Sequence, residues 1–200
     1  QLSGKGRNGK TWFMSPSKGL AMSIILKKII SIQDGLLIPI AAGVAAAKTL
    51  ENRGGKPKLK WPNDVFLNGK KCGGILCETT IKNGNITNMV IGLGLNINEN
   101  LNDFPTSLSN TATSLAIETN QSNQRELICA IFTTYLEKFL NDLNRPLQYW
   151  ENYCSHLNDN VSFNQNGVQY SGIFKGLNND GRSIIEIDKK EVLFNSIILE

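Results

Sequence analysis

The chain has 200 residues, 40% hydrophobic and 19% charged, with a formal charge of +4. That is enough apolar material to bury a sizeable core, in one medium domain or one domain with a small appendage. No apolar run approaches the roughly 18 residues of a membrane span. The mild positive charge fits an anionic small substrate or an acidic partner and is too weak to argue for nucleic acid. The start of the chain carries no basic-apolar-small signal pattern, so a cytoplasmic protein is expected.

In chain order, residues 1–19 are rich in Gly, Lys and Ser and read as a long functional loop. Residues 20–26 form a short apolar strand. Apolar positions at Leu37, Ile40, Ala41, Val44 and Ala45 predict a core helix over residues 36–52, stopped by Gly54-Gly55. Strands follow at 58–61 and 65–67, then at 72–79 after the hairpin signal Asn68-Gly69, and at 89–97 after Asn83-Gly84. Residues 99–121 read as loop. A three-and-one apolar spacing predicts a helix over 124–143, with Asn123 as N-cap, and Pro146 opens another helix to about residue 157. Beyond residue 158, short strands alternate with turns, among them Asn166-Gly167, and predict a small barrel.

The four cysteines, Cys72, Cys77, Cys129 and Cys154, form no C-x-x-C pair. Cys72 and Cys77, five apart on a predicted strand, face opposite ways. With His156 the only histidine, a zinc site is not expected. Cys154 and His156, two apart on a predicted helix, diverge. Reduced structural cysteines are the expectation.

Gly4-Lys5-Gly6-Arg7-Asn8-Gly9-Lys10-Thr11 fits the pattern G-x-x-x-x-G-K-[ST] and also G-x-G-x-x-G. Both motifs need a preceding strand and a following helix, and Ser15-Pro16 blocks the helix. What remains is a flexible cationic loop. Its glycines let backbone N–H groups face an anion, and Trp12 beside it suits a nucleotide base.

Four segments together resemble the biotin–protein ligase family: QLSGKGRNGKTW at residues 1–12, Lys60-Trp61-Pro62-Asn63-Asp64, Gly73-Gly74-Ile75-Leu76 with Glu78, and Ile91-Gly92-Leu93-Gly94-Leu95-Asn96. The resemblance implies an α+β catalytic domain with a mixed sheet over residues 1–157 and an SH3-like barrel over 158–200. It implies activation of biotin by ATP with release of pyrophosphate, then transfer from biotinyl-5'-AMP to a lysine of a biotin carboxyl carrier domain. Two anions meet in the first step, so cations must offset their repulsion. Lys60 matches the lysine that contacts the biotin carboxylate and α-phosphate, and Arg7 matches the loop arginine. Gln1, Lys5 and Gly6 match groups around biotin. Trp12, Asn63, Asp64 and Asn96 match the ATP end, with Asp64 as a ligand of Mg²⁺. A homodimer is compatible with the resemblance; a membrane or nucleic-acid role for this region is not expected.

Two departures stand out. Lys5 and Lys10 replace loop arginines, which keeps charge and loses the bidentate fork. A helix and strand that precede this point in the family, with a Ser-Thr-Asn segment for biotin's ureido ring, are not in this chain. The alternatives are a lipoate-type ligase or acyltransferase of the same superfamily and an inactive truncated binding module.

Overall fold

The computed structural model describes residues 1, 3–165, 167–195 and 197–199. The first 19 residues are less irregular than their composition suggests. β1 (Gly4–Lys5) and β2 (Thr11–Trp12) pair antiparallel around a 3-10 turn at Arg7–Gly9, with Gly6 N–H donating to Lys10 O at 2.7 Å.

β3 (Leu20–Leu26), β4 (Pro57–Lys60), β5 (Asp64–Leu67), β6 (Lys70–Lys82) and β7 (Asn85–Leu95) form one five-stranded sheet in the order β3-β7-β6-β5-β4. The five strands pair antiparallel throughout. The sheet expected to be mixed is therefore antiparallel; the parallel pairings are two isolated bridges to residues outside it, Leu59 to Cys154 and Lys71 to Ala112. Both hairpin signals hold: Asn68-Gly69 and Asn83-Gly84 each place two residues at positive φ, as a two-residue turn of right-handed twist requires.

One sheet face is covered by helices. α1 (Ile32–Asn52) starts four residues before the expected residue 36, because Ser31 caps it by accepting the Asp34 N–H at 2.9 Å. Its central turns, from Ala41 to Ala47, are completely buried. Small side chains on all sides let α1 lie between the sheet on one side and α3 (Arg125–Leu140) and α4 (Arg145–Tyr153) on the other. Before α3, the stretch 99–121, expected to be loop, contains a 3-10 turn at Leu101–Asp103 and a short helix, α2 (Leu115–Thr119).

Two local expectations change. Asn123 does not cap α3. Its side-chain oxygen accepts from Arg53 Nε at 3.0 Å and its backbone N–H donates to Asn98, so it ties two loops together, and Gln124 takes the N-cap position. α4 ends at Tyr153, before the Cys–His pair, so Cys154 Sγ and His156 Nδ1 lie 3.8 Å apart and do not diverge. They still form no reactive pair. Burial pushes the Cys154 thiol up to about 11, and burial together with Lys60 pulls His156 down to about 4.

β8 (Asn160–Gln165), β9 (Val168–Leu177), β10 (Ser183–Ile187) and β11 (Lys190–Phe194) form a second antiparallel sheet in the order β11-β10-β9-β8. It curls until Phe163 and Phe194, from its two edge strands, meet at 4.9 Å. Among the described residues no ladder joins β8 to β11, so the expected barrel is a curled meander. Asn166, expected in a turn here, lies outside the described residues. The meander packs on the helices through Phe174, which touches Trp150 and His156 at 6.0 and 4.2 Å between ring centroids. Among the described residues, no helix is long and apolar enough to cross a membrane.

Candidate active site

The helices cover one face of the first sheet, and the opposite face carries a cavity of about 510 Å³. Strand register says what lies there. Lys60, Asp64, Gly74, Gly94 and Ala21 pair in turn across all five strands and form one rung. The next rung on that face is Leu76, Gly92 and Ser23. All eight residues line the cavity. Glycines at 74, 92 and 94 remove side chains from the middle of this surface, so the floor is bare backbone. The ribbon of β1 and β2 forms the roof, contributing Lys5, Gly6, Arg7 and Trp12, with Gln1 at its edge.

Trp12 rests on this floor. A Cβ at Gly94 would sit 2.6 Å from Trp12 Cε2 and 2.7 Å from its Nε1, so only glycine permits the contact. The indole Nε1 is buried without an acceptor among the described residues.

The turn after Trp61, with a cis peptide to Pro62, holds two cations. Arg7 Nη1 donates to Asn63 Oδ1 at 3.0 Å, and Asn63 Nδ2 donates to Ile75 O at 2.8 Å, which fixes the amide. Lys71 Nζ donates to Asp64 Oδ1 at 2.7 Å and lies 5.9 Å from the centre of the Trp12 ring. Burial lowers the Arg7 pKa, and the Asp64 carboxylate opposes that shift. Lys60 borders the same cavity, with no hydrogen-bond partner among the described residues. Three cations thus converge on one end of the cavity, and two are held in place by the turn.

Lys71 is the residue that the sequence analysis missed. Counting back in alternation from Gly74 puts it on the helix side of β6. A bulge intervenes: Val65 pairs with Gly73, but Phe66 pairs with Lys71, so Cys72 is the extra residue. The bulge turns Lys71 to the cavity face.

Two expected site residues behave differently. Asn96 is 4% exposed and does not line the cavity; its Nδ2 donates to Thr113 O at 2.9 Å, which anchors the loop beyond β7. Asp64 has one oxygen engaged with Lys71, and among the described residues no three His, Cys, Asp or Glu side chains cluster as a metal site. A magnesium ion here would take Asp64 as its one protein carboxylate and the rest of its ligands from water and the triphosphate.

Comparison with known proteins places this arrangement. Residues 1–96 match the biotin/lipoate A/B protein ligase family. The bifunctional ligase/repressor BirA of Bacillus subtilis is 29% identical over 195 residues, 94% of this chain and 60% of the relative. Biotin–protein ligase 1, chloroplastic, of Arabidopsis thaliana is 34% identical over 152 residues, 70% of this chain and 39% of the relative. The chain thus spans about 60% of the length of the BirA proteins that it matches. The biotin protein ligase of Aquifex aeolicus, solved in complex with biotin and ATP, superposes with a TM-score of 0.81 at 25% identity, covering 100% of this chain and 85% of that one. The first 96 residues thus carry a match to the biotin/lipoate A/B protein ligase family, and the relatives similar to the chain in sequence and structure are biotin–protein ligases.

Proposed function

We propose that this chain is the catalytic region of an ATP-dependent biotin–protein ligase. It joins the biotin carboxylate to the α-phosphate of ATP, releases pyrophosphate, and passes biotin from biotinyl-5'-AMP to a lysine of a biotin carboxyl carrier domain. The observation that carries this is the pair of oriented cations, Arg7 on Asn63 and Lys71 on Asp64, over a glycine floor. An oxygen of the carboxylate attacks the α-phosphorus, the bond to the pyrophosphate oxygen breaks, and negative charge gathers between the reacting groups. Positioned cations stabilise that charge without having to reorganise during the reaction. Lys71 takes the principal role between carboxylate and α-phosphate, Arg7 closes from the roof, and Lys60 adds charge from the adjoining strand. Asn63 and Asp64 act by orienting the cations. Gln1, Lys5 and Gly6 border the biotin, and Trp12 offers the nucleotide a ring and an N–H. Magnesium enters with the phosphates of ATP. Residues 158–200 form a separate closing module.

The test is ATP–pyrophosphate exchange with biotin, with lipoate, or with neither added. Exchange that requires biotin supports the assignment. Exchange with lipoate in preference to biotin moves the chain to the lipoate branch, and no exchange with either refutes both.

A further inference from the structure

A second cavity, of about 870 Å³, adjoins the first under the roof. One of its walls is the Gly-rich ribbon from Ser3 to Thr11, and the other is Leu76, Cys77 and Glu78 of β6. The two walls carry opposite charge. Lys5, Arg7 and Lys10 stand on the roof side, and among the described residues Glu78 is the one carboxylate of the lining.

Register decides which cation can meet it. Gly74, Leu76 and Glu78 alternate along β6, and Glu78 pairs with Val90 with no bulge between. Its side chain therefore stands on the face of the glycine floor, two residues beyond Leu76. In the roof, Trp12 lies against that floor at Gly94. Gly4 pairs with Trp12 and Lys5 with Thr11, so the Lys5 and Thr11 side chains take the outer side of the ribbon. Lys10 has an extended backbone, φ −66° and ψ 145°, and its carbonyl accepts from Gly6 N–H at 2.7 Å. The alternation runs on through it and brings its side chain back to the side of Trp12. Arg7 is already held by Asn63. Lys10 and Glu78 are both exposed, and among the described residues neither has a hydrogen-bond or ion partner. A cation and an anion, both unpaired, thus face the same open gap from opposite walls.

We infer that Glu78 is a positioning residue: it receives Lys10 when the roof closes over a bound ligand, and the pair holds the Gly-rich ribbon down on the adenylate. The inference rests on the ligase function proposed above. Glu78 touches no reacting atom. It acts through the ribbon, which carries Arg7 and Trp12 over the cavity. Across a water-filled gap the two charges attract weakly, and closure brings them together with less water between them. A contact made only in the closed state favours that state, so it slows the escape of ligand and adds nothing to the ligand-free fold.

The experiment uses the full chain with Glu78→Lys, with Lys10→Glu, and with both exchanges together. Each protein is loaded with labelled biotin and ATP, freed of excess ligand, and chased with unlabelled biotin at low salt while release of the adenylate is followed. Each single variant is expected to release it about fivefold faster than the parent, as loss of one exposed ion pair allows. The double exchange restores the pair with its sign reversed and is expected to return release close to the parent rate. At about 1 M salt the four proteins should converge, since screening then acts within about 3 Å. Release from the double variant no slower than from the single ones overturns the inference. So does equal release from all four at low salt. So does the same rescue pattern in the Tm of the ligand-free proteins, which would mean that the pair exists before closure. If the parent itself forms no adenylate from biotin and ATP, the ligase function fails, an outcome read from the parent alone, and the inference falls with it.

Discussion

Replacing Lys71 by Met separates the proposed roles of the cavity lysines. Met keeps the length of the stem and removes the charge. The Lys71 and Asp64 side chains are 39% and 28% exposed, so their ion pair is partly screened. Pairs of that kind contribute about 0–1 kcal/mol to stability, and the fold should lose no more than that. The catalytic effect is larger. A cation about 4 Å from the developing negative charge, at an effective dielectric constant of about 20, contributes roughly 4 kcal/mol. Oriented charge stabilisers removed from enzymes cost about 3–4 kcal/mol, which is 10²–10³-fold in rate. Lys71→Met should therefore lower biotin-dependent ATP–pyrophosphate exchange by 10²–10³-fold with little change in Tm. Lys60→Met, which removes a cation with no partner to orient it, should cost about tenfold. Exchange by Lys71→Met within threefold of the parent, with Lys60→Met inactive, would refute the assignment and return the principal role to Lys60.

Further outcomes follow from other parts of the structure. Gly94→Val places a side chain where Trp12 lies, 2.6 Å from Cε2 in the folded protein; valine suits a strand, so the protein should fold, with a shifted tryptophan emission and about tenfold weaker ATP binding in a fluorescence titration. His156 titrates near 4 when folded against an ordinary 6.5, so the unfolded chain binds more protons between those values and stability falls as pH drops from 6.5 towards 4, by up to about 3 kcal/mol. His156→Gln should remove most of that acid sensitivity, as measured by urea unfolding at pH 7 and pH 4.5. Ser31→Ala removes the cap of α1 and should cost about 1 kcal/mol, lowering Tm without altering exchange.

What could be read from the residues depended on whether local physics settled the matter. Asn68-Gly69 and Asn83-Gly84 announced their turns because few other residues accept positive φ in succession. The stripe of α1 was visible, but its start was set by Ser31, three residues ahead of the hydrogen bond it receives. Lys5, Gly6 and Arg7 of the Gly-rich loop, with Trp12, Asn63 and Asp64, were legible as candidates, and they border the cavity. Their partnerships were not, since Arg7 and Asn63 are 56 positions apart. Lys71 was hidden by the bulge at Cys72, which breaks the alternation used to assign faces. Asn96 is a different case: it lies off the cavity with its Nδ2 on Thr113 O, and its Oδ1 is buried with no partner among the described residues, a placement that its position after a glycine-rich strand does not reveal.

The bare glycine floor limits how this cavity can diversify. Where a pocket is lined by side chains, point substitutions can carve it larger or smaller. Here Gly74, Gly92 and Gly94 already present the least possible bulk, so every substitution on the floor can only subtract room. Descendants of this chain that accept a longer or bulkier acid would have to gain the space from the roof that carries Lys5, Arg7 and Trp12 or from other side chains of the lining, such as Ile198. Variation in substrate range should therefore collect there, while the floor drifts little, with no ligand-reading side chain of its own to preserve.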